Sequence, residues 1–201
     1  MIVTELEYIS NYRIKVFIDE EFAFILYPQD IKRYKIEEEK EISDDLFLLI
    51  KQETILRRAK NKALCYLDRT EQTERILRQK LKSKYYTEDI IDLTIIFLKN
   101  YNYLDDRRYA YQYISSYMNK KSITFMKREL YIRGISDDII EDVLAEFCID
   151  ENSNLRIQID KRIDNLSQFD ESSKRKTINY FLRRGFNYYD IIKSIEEYHK
   201  K

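Results

Sequence analysis

The residues of this chain able to act on another molecule are its cations and its tyrosines. Basic side chains come in clusters: Arg57–Arg58 with Lys60 and Lys62; Arg75 through Lys84; Lys120–Lys121, Lys127–Arg128 and Arg133; Lys174–Arg175–Lys176 and Arg183–Arg184. Tyr109, Tyr113 and Tyr117 recur every four residues, so on a helix they fall in one line. Such a stripe is either a packing seam with its hydroxyls at the surface or a platform on which single-stranded bases stack beside cations. A run of charge along one helix is ordinarily a solvated face. Cations that recur on the same helix of successive modules instead point to a polyanion or an acidic protein surface.

Catalytic chemistry finds little support. Two glycines in the chain leave no room for a glycine-rich phosphate loop. Cys65 and Cys148 lie far apart within helical patterns, where small reduced core residues are expected rather than a metal or disulfide pair. The single histidine, His199, stands two residues from the C-terminus and is read as solvated and not catalytic. The acidic pairs Asp105–Asp106 and Asp137–Asp138 fall at helix starts, where carboxylates cap backbone N–H groups. No cofactor, no metal and no enzymatic activity are expected.

The elements that must position these side chains are mainly helical. Of 201 residues, 44% are hydrophobic and 36% charged, with 2 Gly and 1 Pro, so few breakers interrupt long amphipathic helices. The formal net charge is zero, but residues 1–50 are acidic on balance and residues 51–100 and 151–201 basic. No apolar run approaches the ~20 residues that span a bilayer, and the start "MIVTELEYIS" has an acid where a secretion signal needs a base. A cytoplasmic protein is expected.

Residues 1–42 read as a small β segment. "RIKVFIDEEFAFILY" alternates, with Ile14, Val16 and Ile18 on one face and Phe22, Phe24 and Leu26 after a turn at Asp19–Glu20–Glu21. Met1–Ile9 supplies a candidate third strand, Pro28 ends the segment, and a short helix is expected at "QDIKRYK". From the Ser43 cap onward the period is 3.6. Residues 43–103 form a lead-in and a first three-helix unit, with Ile55, Ala59, Ala63, Tyr66 and Leu67 on one face. Residues 104–149 form a second unit and residues 150–201 a third, whose inward residues include Leu155, Ile159, Ile163 and Leu166. Asp-Ile-Ile landmarks at Asp89, Asp138 and Asp190 give spacings of 49 and 52 residues. The fold class is therefore mainly α: tandem three-helix repeats in an elongated, curved array, with a small N-terminal hairpin or three-stranded sheet.

These segments resemble the RecX regulatory proteins. "ALCYLDRTEQTERILRQKL" (63–81) is similar to the family's Ala-x-x-Tyr-Leu run and its Leu-x-x-Lys-Leu ending. "YLDDRRYAYQY" (103–113) resembles its aromatic-aliphatic-Asp-Asp segment, and "ELYIRGISDDIIEDVL" (129–144) its basic-Gly-Ile ending and the following helix. The likeness covers essentially the whole chain. The family usually has Gly near the hairpin turn, after the basic residue of the first unit and before the Tyr-Leu-Asp-Asp run; here stand Glu20, Tyr85 and Asn102.

The resemblance implies a non-enzymatic modulator of the RecA recombinase that lies in the groove of its filament on single-stranded DNA. It would block strand exchange and co-protease activity, and so act in homologous recombination, DNA repair and the SOS response. Partner contacts are then expected on a basic face formed by Arg69, Arg75, Arg78, Lys82, Lys127, Arg128, Arg133, Arg183 and Arg184, with Tyr109, Tyr113 and Tyr117 as a possible aromatic platform. The partners expected are the RecA filament and, weakly or indirectly, single-stranded DNA; a monomer without membrane association is expected. The competing readings are a DNA-binding protein built from helix-turn-helix-like units and a helical adaptor scaffold. The first is disfavoured because the third helices begin with acids, Glu88–Asp89 and Asp137–Asp138, which phosphates repel.

Overall fold

The computed structural model describes residues 1–165 and 169–198. Leu166 and His199, assigned above to an inward face and to solvent, lie outside the described residues. The chain divides into two compact units, Met1–Asp105 and Asp106–Lys201.

In the first unit, strands β1 (Val3–Ser10), β2 (Arg13–Ile18) and β3 (Glu21–Leu26) form an antiparallel meander in that order. Asp19 and Glu20 both have left-handed backbone, φ 49° and 68°, the geometry of a two-residue hairpin whose twist matches its strands. The first strand locks this turn. The Ile2 N–H donates to Asp19 Oδ1 at 2.8 Å and the Glu20 N–H to Thr4 Oγ1 at 3.1 Å. Ile14, Val16, Ile18, Phe24 and Leu26 are buried as the alternation predicts. Phe22 departs from it. The ladder slips between Val16 and Phe17, so Phe22 sits opposite Phe17, half-buried, with the ring centroids 5.9 Å apart.

Pro28 closes the sheet segment and opens helix α1 (Pro28–Tyr34), where its missing N–H costs nothing. Ser43 then caps α2 (Asp44–Leu49) by accepting the Leu46 N–H at 3.2 Å. This helix runs on without a break through a π-helical stretch, Ile50–Leu56, into α3 (Arg57–Arg69). The widened turn keeps the apolar stripe in phase: Ile50, Thr54, Ile55, Ala59 and Ala63 are all buried, an offset that an unbroken 3.6 period would not hold. Tyr34 and Thr54 share a hydroxyl–hydroxyl bond of 2.6 Å in this core. The inner face of the sheet, with Val16, Phe24 and Leu26, packs against Ile50, Ile55 and Ala59.

α4 (Glu74–Lys82) and α5 (Glu88–Asn100) complete the first bundle around Ala63, Leu77, Leu81, Ile91, Ile95 and Leu98. In the second unit, α6 (Asp106–Tyr117), α7 (Ile123–Ile132) and α8 (Asp137–Leu144) enclose one core. α9 (Glu151–Asp164), α10 (Glu171–Leu182) and α11 (Tyr188–Tyr198) enclose another.

The helix stop of the repeat recurs in its backbone geometry. Each second helix ends in a left-handed residue: Tyr85 (φ 66°), Gly134 (φ 90°) and Gly185 (φ 84°). In each case the next residue returns its N–H to the carbonyl five back: Tyr86 to Leu81, Ile135 to Leu130 and Phe186 to Phe181. Counted from these stops, Leu77, Met126 and Thr177 are equivalent and buried, and so are Ile91, Ile140 and Ile191. The stops lie 49 and then 51 residues apart. The spacing of 52 taken from Asp190 is therefore out of phase by one residue, and Tyr189 is the structural counterpart of Asp138. The cap proves it: the Asn187 carbonyl accepts the Ile191 N–H as the Ser136 carbonyl accepts that of Ile140.

Cys65 and Cys148 are both exposed, against the expectation of core thiols. The α3 stripe passes through Ala59 and Ala63, which leaves Cys65 on the outer side; Cys148 follows the end of α8. Among the described residues no helix is long and apolar enough to cross a membrane.

Candidate partner-binding surface

α4 begins at Thr73, whose hydroxyl accepts the Ile76 N–H, and buries Leu77 and Leu81. Its basic residues then divide into two kinds. Arg78 bridges two helices, donating to Glu74 at 2.7 Å and to Asp92 of α5 at 2.6 Å. Burial alone would raise the Glu74 carboxyl, but hydrogen bonds from Lys99 and then Arg78 outweigh it and hold it below the usual carboxylate range. Lys82 pairs with Glu88 at 2.5 Å, both well exposed. Arg69, at the end of α3, and Arg75 are exposed and make no ion pair among the described residues.

α7 repeats the division. Lys127 reaches Glu141 of α8 at 2.6 Å, at the same place in the repeat as Arg78 and Asp92. Arg128 is exposed without an ion pair. Arg133 turns back to donate to Tyr109 Oη at 2.6 Å and to Glu129 at 3.3 Å. In the third repeat, Arg183 is exposed and makes no ion pair among the described residues, whereas Arg184 lies on the Tyr180 ring, 3.4 Å from its centroid. So four of the nine predicted cations, Arg69, Arg75, Arg128 and Arg183, make no ion pair among the described residues. The other five carry internal contacts.

The structure brings Tyr109, Tyr113 and Tyr117 together as the spacing predicts, but their neighbours are the chain's own cations. The Lys121 ammonium stands 4.1 Å from the Tyr117 centroid and donates to Tyr113 Oη at 2.9 Å. The Arg133 guanidinium stands 5.3 Å from the Tyr113 centroid. Burial, and then Glu129, push the Tyr113 hydroxyl up to about 12. Burial lowers Lys121. This is a cation–π seam.

Within the second unit the third repeat completes the helix start of the second. The Ser122 N–H donates to the Arg184 carbonyl at 3.0 Å and the Ile123 N–H to Glu151 Oε2 at 2.8 Å, so two otherwise orphaned donors of α7 are met.

A second cationic feature, in the first unit, was not read from the sequence. A cleft of about 250 Å³ between the sheet and the first bundle holds Arg13, Arg58, Lys62 and Lys84. Its aromatic wall is Tyr27, Tyr85 and Tyr86. Arg58 is anchored there by a bidentate pair with buried Asp30, at 2.6 and 2.9 Å, and lies 4.3 Å from the Tyr27 centroid. Arg58, Lys62 and Lys84 fall in basic clusters visible in the sequence, and Tyr85 stands 49 residues before Gly134, but nothing local joins these to Arg13 and Tyr27.

Residues 59–98 match the description "RecX, first three-helix domain" and residues 105–144 the description "RecX, second three-helix domain". A regulatory protein RecX of Clostridium acetobutylicum is 30% identical over 196 residues, covering 92% of this chain and 89% of the relative. One of Bacillus licheniformis is 25% identical over 191 residues, covering 92% and 72%. A crystal structure of RecX from Lactobacillus salivarius aligns with a TM-score of 0.57 at 27% identity, over 73% of this chain and 97% of that one. A further crystal structure of a regulatory protein RecX aligns at 0.56 over 94% and 96%; at 19% identity it speaks for the fold alone.

Proposed function

The chain belongs to the RecX family of regulatory proteins, and on that premise we propose that it is a non-enzymatic regulator of the RecA recombinase in the cytoplasm. It binds the recombinase filament on single-stranded DNA and inhibits strand exchange and co-protease activity. The observation that carries this reading is the pair of matched three-helix domains, each holding an exposed cation on its second helix that no carboxylate among the described residues neutralises: Arg75 and Arg128.

Exposed pairs such as Lys82–Glu88 hold their cations weakly, at about 0.2–1 kcal/mol, and yield them to a partner at small cost. Arg78 and Lys127 instead tie the second helix to the third and serve the fold. The partner surface therefore centres on Arg69, Arg75, Arg128 and Arg183, with Lys82 joining on contact. The tyrosine stripe serves packing, because Tyr113 is buried, Tyr109 and Tyr117 are half-buried, and the Tyr109 and Tyr113 hydroxyls are already bonded by Arg133 and Lys121. The four residue ranges 1–42, 43–103, 104–149 and 150–201 serve as the functional segments of this reading.

Reading of a DNA groove by the third helices is disfavoured by charge. Asp89, at the start of α5, is held ionised: burial would raise it, but the hydrogen bond from Lys51 at 2.5 Å outweighs that and lowers it. A fixed carboxylate at a helix start repels phosphate.

The test is a pull-down of recombinase by the full chain with and without single-stranded DNA and nucleotide, followed by the recombinase ATPase. Capture that needs the assembled filament, and ATPase inhibition weakened about tenfold or more in an Arg75→Ala/Arg128→Ala/Arg183→Ala variant, support the reading. Equal inhibition by that variant, with its fold intact by circular dichroism, overturns the surface. Failure to capture filament at all overturns the function.

A further inference from the structure

We propose that the cleft between the N-terminal sheet and the first three-helix bundle is a binding site for single-stranded nucleic acid, taking one nucleotide with its flanking phosphates. The proposal does not depend on the recombinase reading, whose partner cations lie outside the sheet, and it is tested on nucleic acid alone.

Three features of the cleft converge. The first is uncompensated charge. Of its four cations only Arg58 has a carboxylate, the buried Asp30; Arg13, Lys62 and Lys84 make no ion pair among the described residues. Three free cations around about 250 Å³ outnumber what one side-chain carboxylate neutralises, but they suit consecutive phosphates of a polymer. The volume also falls below the ~300–1,000 Å³ of pockets that enclose whole drug-sized ligands, so a unit of a longer chain fits better.

The second is the aromatic wall. Tyr27 and Tyr85 are 38% and 43% exposed, and their rings border the same cleft as the cations. Phenol rings beside basic groups are what base stacking uses, and stacking accepts any base. Arg13 stands 5.4 Å from the Tyr85 centroid, which places positive charge beside the ring where a phosphate attached to a stacked base would lie, while Lys15, at 5.5 Å, is paired with Glu7. Tyr86 is kept protonated, its hydroxyl pushed up to about 12 by burial first and then by neighbouring Tyr27, so it remains a hydrogen-bond donor toward an anion.

The third is strain. Tyr85 holds φ at 66° at the helix stop where the other two repeats carry Gly134 and Gly185. A bulky aromatic residue in left-handed backbone is disfavoured locally, and such residues concentrate at functional sites. The ring earns its place by what it does in the cleft. An acidic peptide would use the cations but not the partly exposed phenol rings, so nucleic acid is the occupant the three features share.

The experiment uses the full chain and a fluorescein-labelled oligothymidylate, read by anisotropy across a salt series. The parent is expected to bind with a steep salt dependence. Arg13→Ala/Lys62→Ala/Lys84→Ala is expected to lose about tenfold or more in affinity at low salt and to flatten the log–log salt slope by about 2. Tyr85→Gly, which removes the ring and relieves the backbone, is expected to lose about fivefold while its stability stays close to the parent's. An oligonucleotide carrying 5-iododeoxyuridine is expected to crosslink to Tyr27 or Tyr85 under ultraviolet light. Unchanged affinity in both variants, or crosslinks confined to other residues, overturns the proposal. So does displacement of the oligonucleotide by polyglutamate at equal charge concentration, which would assign the cleft to acidic protein.

Discussion

Gly185 and Tyr85 occupy the same turn of the repeat with the same hand of backbone, φ 84° and 66°, yet they are opposite kinds of residue. At Gly185 the residue is dictated by what lies above it. A Cβ there would stand 2.5 Å from Ser122 Oγ and 2.6 Å from Phe125 Cβ, because the turn is seated against the start of α7. At Tyr85 the turn faces the cleft of the first unit, and the ring reaches Arg13 and Lys15. The turn therefore fixes only the sign of φ. The surroundings choose between the residue that is free there and the one that is useful there.

The largest effect expected from this contrast is that of Gly185→Ala. Left-handed backbone costs a residue with a Cβ ~1–2 kcal/mol, and overpacking against Ser122 and Phe125 adds ~1–3 kcal/mol. A loss of about 3 kcal/mol is expected as a lower urea midpoint at unchanged slope. Gly134→Ala serves as the reference, since it carries the backbone cost. If the two alanine variants lose equally, the close seating of Gly185 on α7 is not what holds that turn, and the comparison fails.

Much of this contrast was legible in the sequence, and the illegible part has physical causes. The caps Ser43 and Ser122, the buried stripe Leu77–Leu81 and the glycine stops follow from local rules that act within one turn of chain. The hairpin followed from alternation and left Met1–Ile9 as a candidate third strand, but the slip at Phe17 did not follow, because a bulge leaves no mark in a period of two. The π-helical stretch at Ile50–Leu56 was hidden likewise: it shows only as a buried stripe one residue out of step. Cations were legible as positions and not as partners. Nothing local says that Arg78 meets Asp92 fourteen residues on while Arg75 meets no carboxylate among the described residues. The cleft escaped altogether, since Arg13, Tyr27, Arg58 and Tyr85 are brought together only by tertiary folding.

A middle-sized effect separates the bundles by pH. The helix tie Arg78–Asp92 of the first repeat becomes Lys127–Glu141 in the second, and the matching positions in the third are Ile178 and Ile192, both half-buried. Arg78 in the first repeat also holds Glu74, whose folded pKa is lowered. A carboxyl lowered by folding adds stability that is complete above its unfolded pKa and is lost as pH falls through the folded value. Glu74 is partly solvated, so its share is discounted to under about 1 kcal/mol. The stability difference between parent and Glu74→Gln, from urea titrations, is expected to be constant near neutrality and to vanish in acid below the usual glutamate range. A difference that persists there makes the contact one of packing and not of charge.

The smallest effect on stability is expected at Tyr85, and it is the most informative. Replacing Tyr85 by Gly relieves ~1–2 kcal/mol of backbone cost, but it frees the unfolded chain by ~0.5–1 kcal/mol and forfeits the cation contacts to Arg13 and Lys15. These nearly cancel, so a midpoint within about 0.5 kcal/mol of the parent is expected. At Gly185 the same turn admits no side chain; at Tyr85 removing one is nearly free. A residue whose loss leaves stability unmoved while oligonucleotide affinity falls is retained for binding. If Tyr85→Gly instead unfolds the first unit, the ring is a core element, and the two turns differ in packing alone.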